Sequence, residues 1–315
     1  MDTWKTIVFL SVLWSVGAVV SIRKESDPGA GTLFYHQKWN VWTGVLAATF
    51  LELITVFVLW SPWSFRDEPL IVIFYMFAEV TLFIATLLFY RVAINQPYAV
   101  LGLSTERLGI RLLFGLRMAV GCFLAGYGIF YLLLEFQTLQ ASHEWLLRLS
   151  RQTGMVFVVL NFFEKIWGTG SLWMPVLFMV IFKPLVEEVI FRGLLYGPIR
   201  KKTDPVMAAL ATSFLFMLAD GSYKGHHLIS GMLLAYLYER TGSLLPGILF
   251  HGLINLGGVL YFFDRRKINT LDVFTRKEEG GRIALILLVS FLCIELVYRV
   301  MVRRGYHWKR PASAL

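Results

Sequence analysis

Charge is scarce in this chain. Only 16% of its 315 residues are Asp, Glu, Lys or Arg, where a soluble domain carries about 25%. A water-facing surface on every side is hard to build from so few charges, and 57% hydrophobic residues point the same way. Cysteine is nearly absent. Cys122 and Cys293 both sit in apolar runs, which excludes a disulfide framework and thiolate ligand spacing. Low-complexity segments and internal repeats are lacking, so the inverted repeats and matched broken helices of a transporter are missing. Familiar hydrolase signatures are missing too. His143-Glu144 lacks the second histidine of HExxH, and there is no GxSxG or rhomboid-like serine motif.

What is present is apolar sequence in long runs, at about 6–21, 41–61, 69–90, 118–134, 172–199, 205–219, 227–239, 243–263 and 283–302. The fold class that follows is all-α, a polytopic transmembrane bundle of about eight or nine membrane helices. The runs at 205–219 and 227–239 fall short of the ~20 residues a lipid-exposed helix needs, so they are expected to shelter inside the bundle. Residues 152–163 form a shorter apolar stretch, interfacial or re-entrant. The run at 6–21 follows Lys5, shows no small-residue cleavage site and is followed by Arg23-Lys24, the pattern of an uncleaved first helix.

The net charge of +9 collects in short stretches between spans, as at Arg200–Lys202, Arg265–Lys267 and Arg303–Arg310. Such placement serves membrane orientation and anionic lipid headgroups rather than nucleic acid. Three loops, carrying Arg23, Lys24 and Lys38, then Arg107, Arg111 and Arg117, then Arg200–Lys202, fall on one side with the C-terminal tail. That side is cytoplasmic by the positive-inside rule, with the Arg265–Lys277 loop opposing it. The segment Gly102–Arg117 has the pattern of an interfacial helix preceding the span at 118–134. The organisation expected is an N-terminal scaffold (1–135), a polar connection (136–171), a chemistry-bearing core (172–263), and a final loop, helix and basic tail (264–315).

An ionisable side chain inside a span costs about 2.5–3.5 kcal/mol at mid-helix on insertion scales. Glu52 and Glu79 are isolated and read as structural. Glu295 has Arg299 one turn on, the spacing of a local ion pair. The run Lys183-Pro184-Leu185-Val186-Glu187-Glu188-Val189-Ile190-Phe191-Arg192-Gly193 is denser. On a helix Arg192 pairs with Glu188, while Glu187 points about 100° away and is left free to take a proton. Pro184 removes an N–H and frees the Val180 carbonyl just before the acids. Adjacent carboxylates in low dielectric resist double ionisation, which suits one of them to general-base work. The competing reading is a structural Glu–Arg pair that locks helices together. Further on, Asp204-Pro205 opens a short helix, which ends at Phe216-Met217-Leu218-Ala219-Asp220. His251 and Asn255 are spaced i,i+4 on an otherwise apolar helix. Facing the bundle, such a pair can donate to a developing oxyanion.

Together these segments resemble the type II CAAX prenyl endopeptidases and their bacterial relatives, the CPBP or Abi family of intramembrane proteases. Glu187-Glu188-Val189-Ile190-Phe191-Arg192 matches EExxxR, and His251-Gly252-Leu253-Ile254-Asn255 matches HxxxN. The connection Tyr236–Pro246 is similar as well; the resemblance covers about residues 172–260, and Leu101-Gly102-Leu103 extends it. In the FxxxH motif Phe216 is present, but Asp220 stands where the histidine belongs. The resemblance implies Glu187 as base, Glu188 and Arg192 as its orienting partners, and His251 with Asn255 as oxyanion donors. Asp220 then takes the place of the imidazole that holds the water, and His226 and His227 are the nearby substitutes in sequence.

The function expected is peptide hydrolysis at a bacterial plasma membrane, with membrane lipid and a hydrophobic or lipidated peptide as partners. A non-catalytic scaffold or bacteriocin-immunity-type protein is the alternative that Asp220 raises, and a transporter the third. No cofactor is specified; Glu, Asp and His are of the kind that bind a divalent metal such as zinc, though these three stand on separate helices.

Overall fold

The computed structural model describes residues 37–49, 69–135, 176–219, 225–267 and 277–303. Among them every regular element is helical, with no strand, as the apolar runs require. The elements are α1 (residues 41–49), α2 (Pro69–Val92), α3 (Leu108–Glu135), α4 (176–200), α5 (Pro205–Ala219), α6 (Gly225–Thr241), α7 (Leu245–Lys267) and α8 (Lys277–Arg303). The expected run at 6–21, the apolar stretch 152–163, the polar connection and Glu52 lie outside the described residues.

The bundle is organised around α4, which packs against α2, α5, α6 and α7; α3 packs against α7 and α8. Two prolines shape α4. Its central turn, Lys183–Glu188, is α-helical, but Phe178–Phe182 and Val189–Tyr196 on either side are wound as π-helix. Pro184 cannot donate to Val180, and the Lys183 N–H reaches back five residues to the Phe178 carbonyl, so the loosening expected just before the acids is present. Pro198 likewise cannot donate to Leu194. The Trp39 indole fills that carbonyl from outside the helix at 2.9 Å.

Short polar caps fix the other ends. Asp204 accepts from the Val206 and Met207 N–H groups at 2.8 and 3.1 Å and starts α5. Between α6 and α7 the chain turns at Gly242, with φ of 58°. Leu244 N–H and Ser243 Oγ both donate to the Gly102 carbonyl, at 3.0 and 3.2 Å, and the Tyr238 hydroxyl donates to Leu101 at 3.0 Å. The Leu101-Gly102-Leu103 segment is thereby docked on the α6–α7 connection. Gly102 is required there: its φ is 90°, and a Cβ would stand 2.8 Å from the Tyr238 ring.

One expectation is corrected. Gly102–Arg117 does not form a separate interfacial helix, because Leu108–Glu135 is a single helix of 28 residues. Arg107 stands in the turn before this helix, but Arg111 and Arg117 are helical and are not loop charges. Arg111 donates to the Ser104 carbonyl at 3.0 Å, and buried Arg117 pairs with Glu295 of α8 at 2.5 Å while stacking 4.6 Å over Tyr298. A guanidinium neutralised from a neighbouring helix has no need to end its own. Glu295 also holds the expected Arg299 at 2.6 Å.

Charge and apolarity are distributed opposite to a water-soluble domain. Large apolar side chains stand exposed on α2 (Phe74, Phe77, Leu88), α5 (Val206, Met207, Phe214) and α8 (Ile286, Val289, Leu296). Glu79, Arg117, Lys183, Glu187, Glu188, Arg192 and Glu295 are buried. Soluble monomers rarely expose apolar surface on this scale. Among the described residues one stretch, Leu108–Ala125, is long and apolar enough to cross a membrane by itself. Helices such as α4 carry their charges mid-length, on the inward side, and so break any uninterrupted apolar window.

Helix association in such a bundle rests on close backbone approach at small residues. A Cβ on Gly252 of α7 would fall 2.3 Å from the Val180 carbonyl oxygen of α4, whereas one on Gly258 would meet nothing within 4 Å. Gly252→Ala is expected to lower stability by about 1–3 kcal/mol through overpacking. Gly258→Ala is expected to be neutral or mildly stabilising. Thermal unfolding of both variants in detergent checks the contrast.

Candidate active site

The central turn of α4 places Glu187 and Glu188 about 100° apart, and α7 inserts His251 between them. The Nδ1 of His251 lies 3.2 Å from Glu188 Oε1, and its Nε2 lies 3.4 Å from Glu187 Oε2. Both carboxylates therefore face one imidazole. The two acids diverge as expected and Arg192 does not reach Glu187, but Glu187 is not left free: Lys183 Nζ forms an ion pair with its Oε1. Arg192 pairs with Glu188 as expected, Nη1 to Oε1 at 3.1 Å. Its Nη2 donates to the Gly231 carbonyl of α6 at 3.0 Å.

Each acid thus has its own cation, at i−4 for Glu187 and i+4 for Glu188. The Coulomb attraction of each pair offsets a desolvation cost of several kcal/mol per ion. The Glu188 interaction also orients the ring. A neutral imidazole carries one N–H. With that proton on Nδ1 toward Glu188, the Nε2 lone pair faces Glu187.

Phe216 walls the cluster. Its ring meets His251 edge-on at 5.6 Å, carries the Arg192 guanidinium 4.8 Å above its face, and packs against Phe191 at 5.3 Å. The His227 ring lies against the same phenyl at 6.0 Å. Asn255 uses one amide N–H on the Met179 carbonyl at 2.9 Å, joining α7 to the first π-wound turn of α4. Asp220 and the side chain of His226 lie outside the described residues.

Of the residues singled out in sequence, Glu187, Glu188 and His251 meet where α4 faces α7, with Arg192 joined to them through Glu188. Asn255 bonds instead to the Met179 carbonyl, and Asp220 lies outside the described residues. The sequence reading missed Lys183 and the walling role of Phe216. The signal for Lys183 was available, since the i,i+4 rule that pairs Arg192 with Glu188 also pairs Lys183 with Glu187. For Phe216 no sequence rule says which ring of an apolar helix will touch a histidine two helices on. As for a metal, each carboxylate already carries an ammonium or guanidinium. Among the described residues no group of three or more His, Cys, Asp and Glu is arranged to hold one.

Comparison with known proteins converges on this region. Residues 168–257 match the family model described as type II CAAX prenyl endopeptidase Rce1-like. The matched segment includes all of the described α4, α5 and α6 and the His251–Asn255 turn of α7. The chain is also 33% identical over 76 residues to a Bacillus subtilis protein named "Putative membrane peptidase YdiL". That alignment covers 23% of this chain and 30% of the relative, so the likeness spans under a third of the relative's length. No solved structure matches.

Arg192 is the cation whose loss exposes the cost of the buried pair. Arg192→Met leaves Glu188 without its counter-ion, and breaking a buried pair on one side costs about 3–5 kcal/mol. A matching drop in thermal or denaturant stability in detergent is expected, larger than for Arg299→Met, whose side chain is half exposed.

Proposed function

We propose that this protein is a multi-pass membrane endopeptidase that hydrolyses a hydrophobic or lipidated peptide with a water activated by Glu187. The observation that carries the reading is the convergence of Glu187 and Glu188 on His251 across two helices, at 3.4 and 3.2 Å. The Rce1-like match over the same residues and the likeness to a protein named as a membrane peptidase support it. The apolar exterior supports a bilayer setting, and a bacterial plasma membrane is the proposed location.

In this mechanism Glu187 takes a proton from the attacking water and returns it to the departing amine. Glu188, held by Arg192, fixes the tautomer and aim of His251, as carboxylates commonly do for a working imidazole. Arg192 in turn is fixed by the Gly231 carbonyl and the Phe216 face. Phe216 and Phe191 exclude water from the closed side of the cluster, which strengthens its electrostatics.

A second reading has its own observation. The Lys183 ion pair neutralises the proposed base, and Asp220 stands where the FxxxH pattern has histidine. A non-catalytic membrane scaffold or immunity-type protein would keep the same cluster as a structural lock. Reconstituted protein presented with hydrophobic and prenylated peptides separates the two. Under the hydrolytic reading Glu187→Ala loses about 10²–10⁴-fold in rate, and equal cleavage by wild type and variant would sink it. Asp220→His is expected to leave an active enzyme no better than about tenfold changed; activity appearing only in that variant identifies a lapsed enzyme.

A further inference from the structure

We infer that the protein binds an anionic phospholipid, its headgroup at the end of the bundle where Lys38 and Lys202 stand and its acyl chains along the outer faces of α1 and α5. This seat needs the bilayer setting proposed above but not the hydrolysis. Three connections assemble that end. The Lys38 backbone N–H donates to Gln96 Oε1, just after α2, at 3.0 Å. The Lys201 ammonium, at the close of α4, donates to the Gln37 carbonyl. The Trp39 indole reaches Leu194 of α4 at 2.9 Å, and its ring meets Tyr90 of α2 at 5.1 Å. The chain ahead of α1 is thereby strapped across the ends of α2 and α4, where α5 begins.

Cations far apart in sequence gather there as a result. Lys38, Arg91 and Lys202 are exposed, and Lys201 adds its charge against Gln37. The acids beside them are already engaged. Glu239 accepts from the Tyr196 hydroxyl at 2.8 Å and from Arg200 at 3.1 Å. Asp204 accepts from the first N–H groups of α5. Among the described residues of this corner positive charge is in excess, which calls for an anionic partner. Each lysine or arginine near a membrane surface strengthens attraction to anionic headgroups by about fivefold.

The surface that continues from these cations is apolar, which selects a lipid over a soluble anion. Trp42 is 67% exposed, and Leu46 follows it one turn on along the same face of α1. On α5 the exposed residues Met207, Leu210 and Phe214 recur at three and four positions, with Val206 beside the first. Each stripe opens four residues after a lysine, Trp42 after Lys38 and Val206 after Lys202. Ala47 of α1 and Phe216 of α5 share one buried cluster with Leu194, which ties both helices to the same stretch of α4. A tryptophan suits the boundary, because its ring settles at headgroup depth. Cation, interfacial ring and apolar stripe thus follow in the order of phosphate, glycerol and acyl chain.

Lipid titration of the full chain tests the seat. Protein stripped of lipid in detergent is titrated with phosphatidylglycerol or phosphatidylcholine, and bound lipid is counted by native mass spectrometry. Wild type is expected to bind phosphatidylglycerol at least about tenfold more tightly, a preference that high salt should largely erase. In the double variant Lys38→Gln/Lys202→Gln, phosphatidylglycerol binding should weaken by about 10–30-fold while phosphatidylcholine is unchanged. Equal affinities for the two lipids in wild type, or an undiminished preference in the double variant, overturn the inference. Should the double variant not be recovered folded, Lys202→Gln alone should cost about fivefold, and no loss there overturns the inference equally. Trp42→Gln should weaken both lipids by at least about threefold through lost apolar contact. Unchanged binding in Trp42→Gln assigns the cations to a soluble anion and overturns the lipid seat. Displacement of phosphatidylglycerol by an equal concentration of polyglutamate assigns them to an acidic protein and overturns it too. Peptide cleavage, measured in parallel, bears only on the hydrolytic reading, so the two claims fail separately.

Discussion

Two carboxylates side by side on a helix with an apolar exterior cannot stand alone. Each carries a desolvation cost of several kcal/mol and repels the other. The core of this protein is arranged around that constraint. Lys183 and Arg192 stand one turn below and above the acids, so α4 carries its own counter-ions. His251 is drawn between the acids from α7, the Gly231 carbonyl is drawn to Arg192 from α6, and Phe216 covers the guanidinium from α5. Each helix packed on this face of α4 contributes one group to the neutralisation, so the polar cluster and the helix packing share the same contacts.

The irregular winding of α4 belongs to the same arrangement. Prolines at 184 and 198 remove two N–H groups, and the helix answers with π-wound turns around a six-residue α-helical centre. The carbonyls left over are used: Trp39 donates to Leu194, and the Val180 oxygen approaches α7 where Gly252 offers no side chain. This close approach sets the depth at which His251 enters, and Asn255 on Met179 pins it one turn further along.

Away from the cluster the same economy recurs. Arg117 and Glu295 form a second buried ion pair between α3 and α8, with Tyr298 beneath the guanidinium and half-exposed Arg299 on the outer side of Glu295. Positive charge that the sequence pattern assigns to a loop is in this way interior and structural. Charge counting along the chain places arginines on sides of a membrane by their position between runs. It cannot see that the partner of Arg117 is Glu295, far along the chain on another helix.

Composition and apolar period alone determined the all-α class and the boundaries of α2 and α5 to within a few residues, because these depend on local hydrophobicity and local backbone rules. The Asp204 cap, the Arg192–Glu188 pair and the Glu295–Arg299 pair were legible for the same reason, since partners three or four residues apart on a helix meet wherever the helix goes. The Pro184 loosening was legible as a missing N–H. What only the tertiary structure decided are the contacts between helices: that His251 faces both acids, that Phe216 seals Arg192, and that Arg117 turns inward to Glu295. Those meetings depend on crossing angles and on close approach at glycines, which no spacing along one chain segment encodes. Lys183 lies between the two cases. Its pairing with Glu187 follows from the helical turn, but the burial of that pair follows from the helices that cover it.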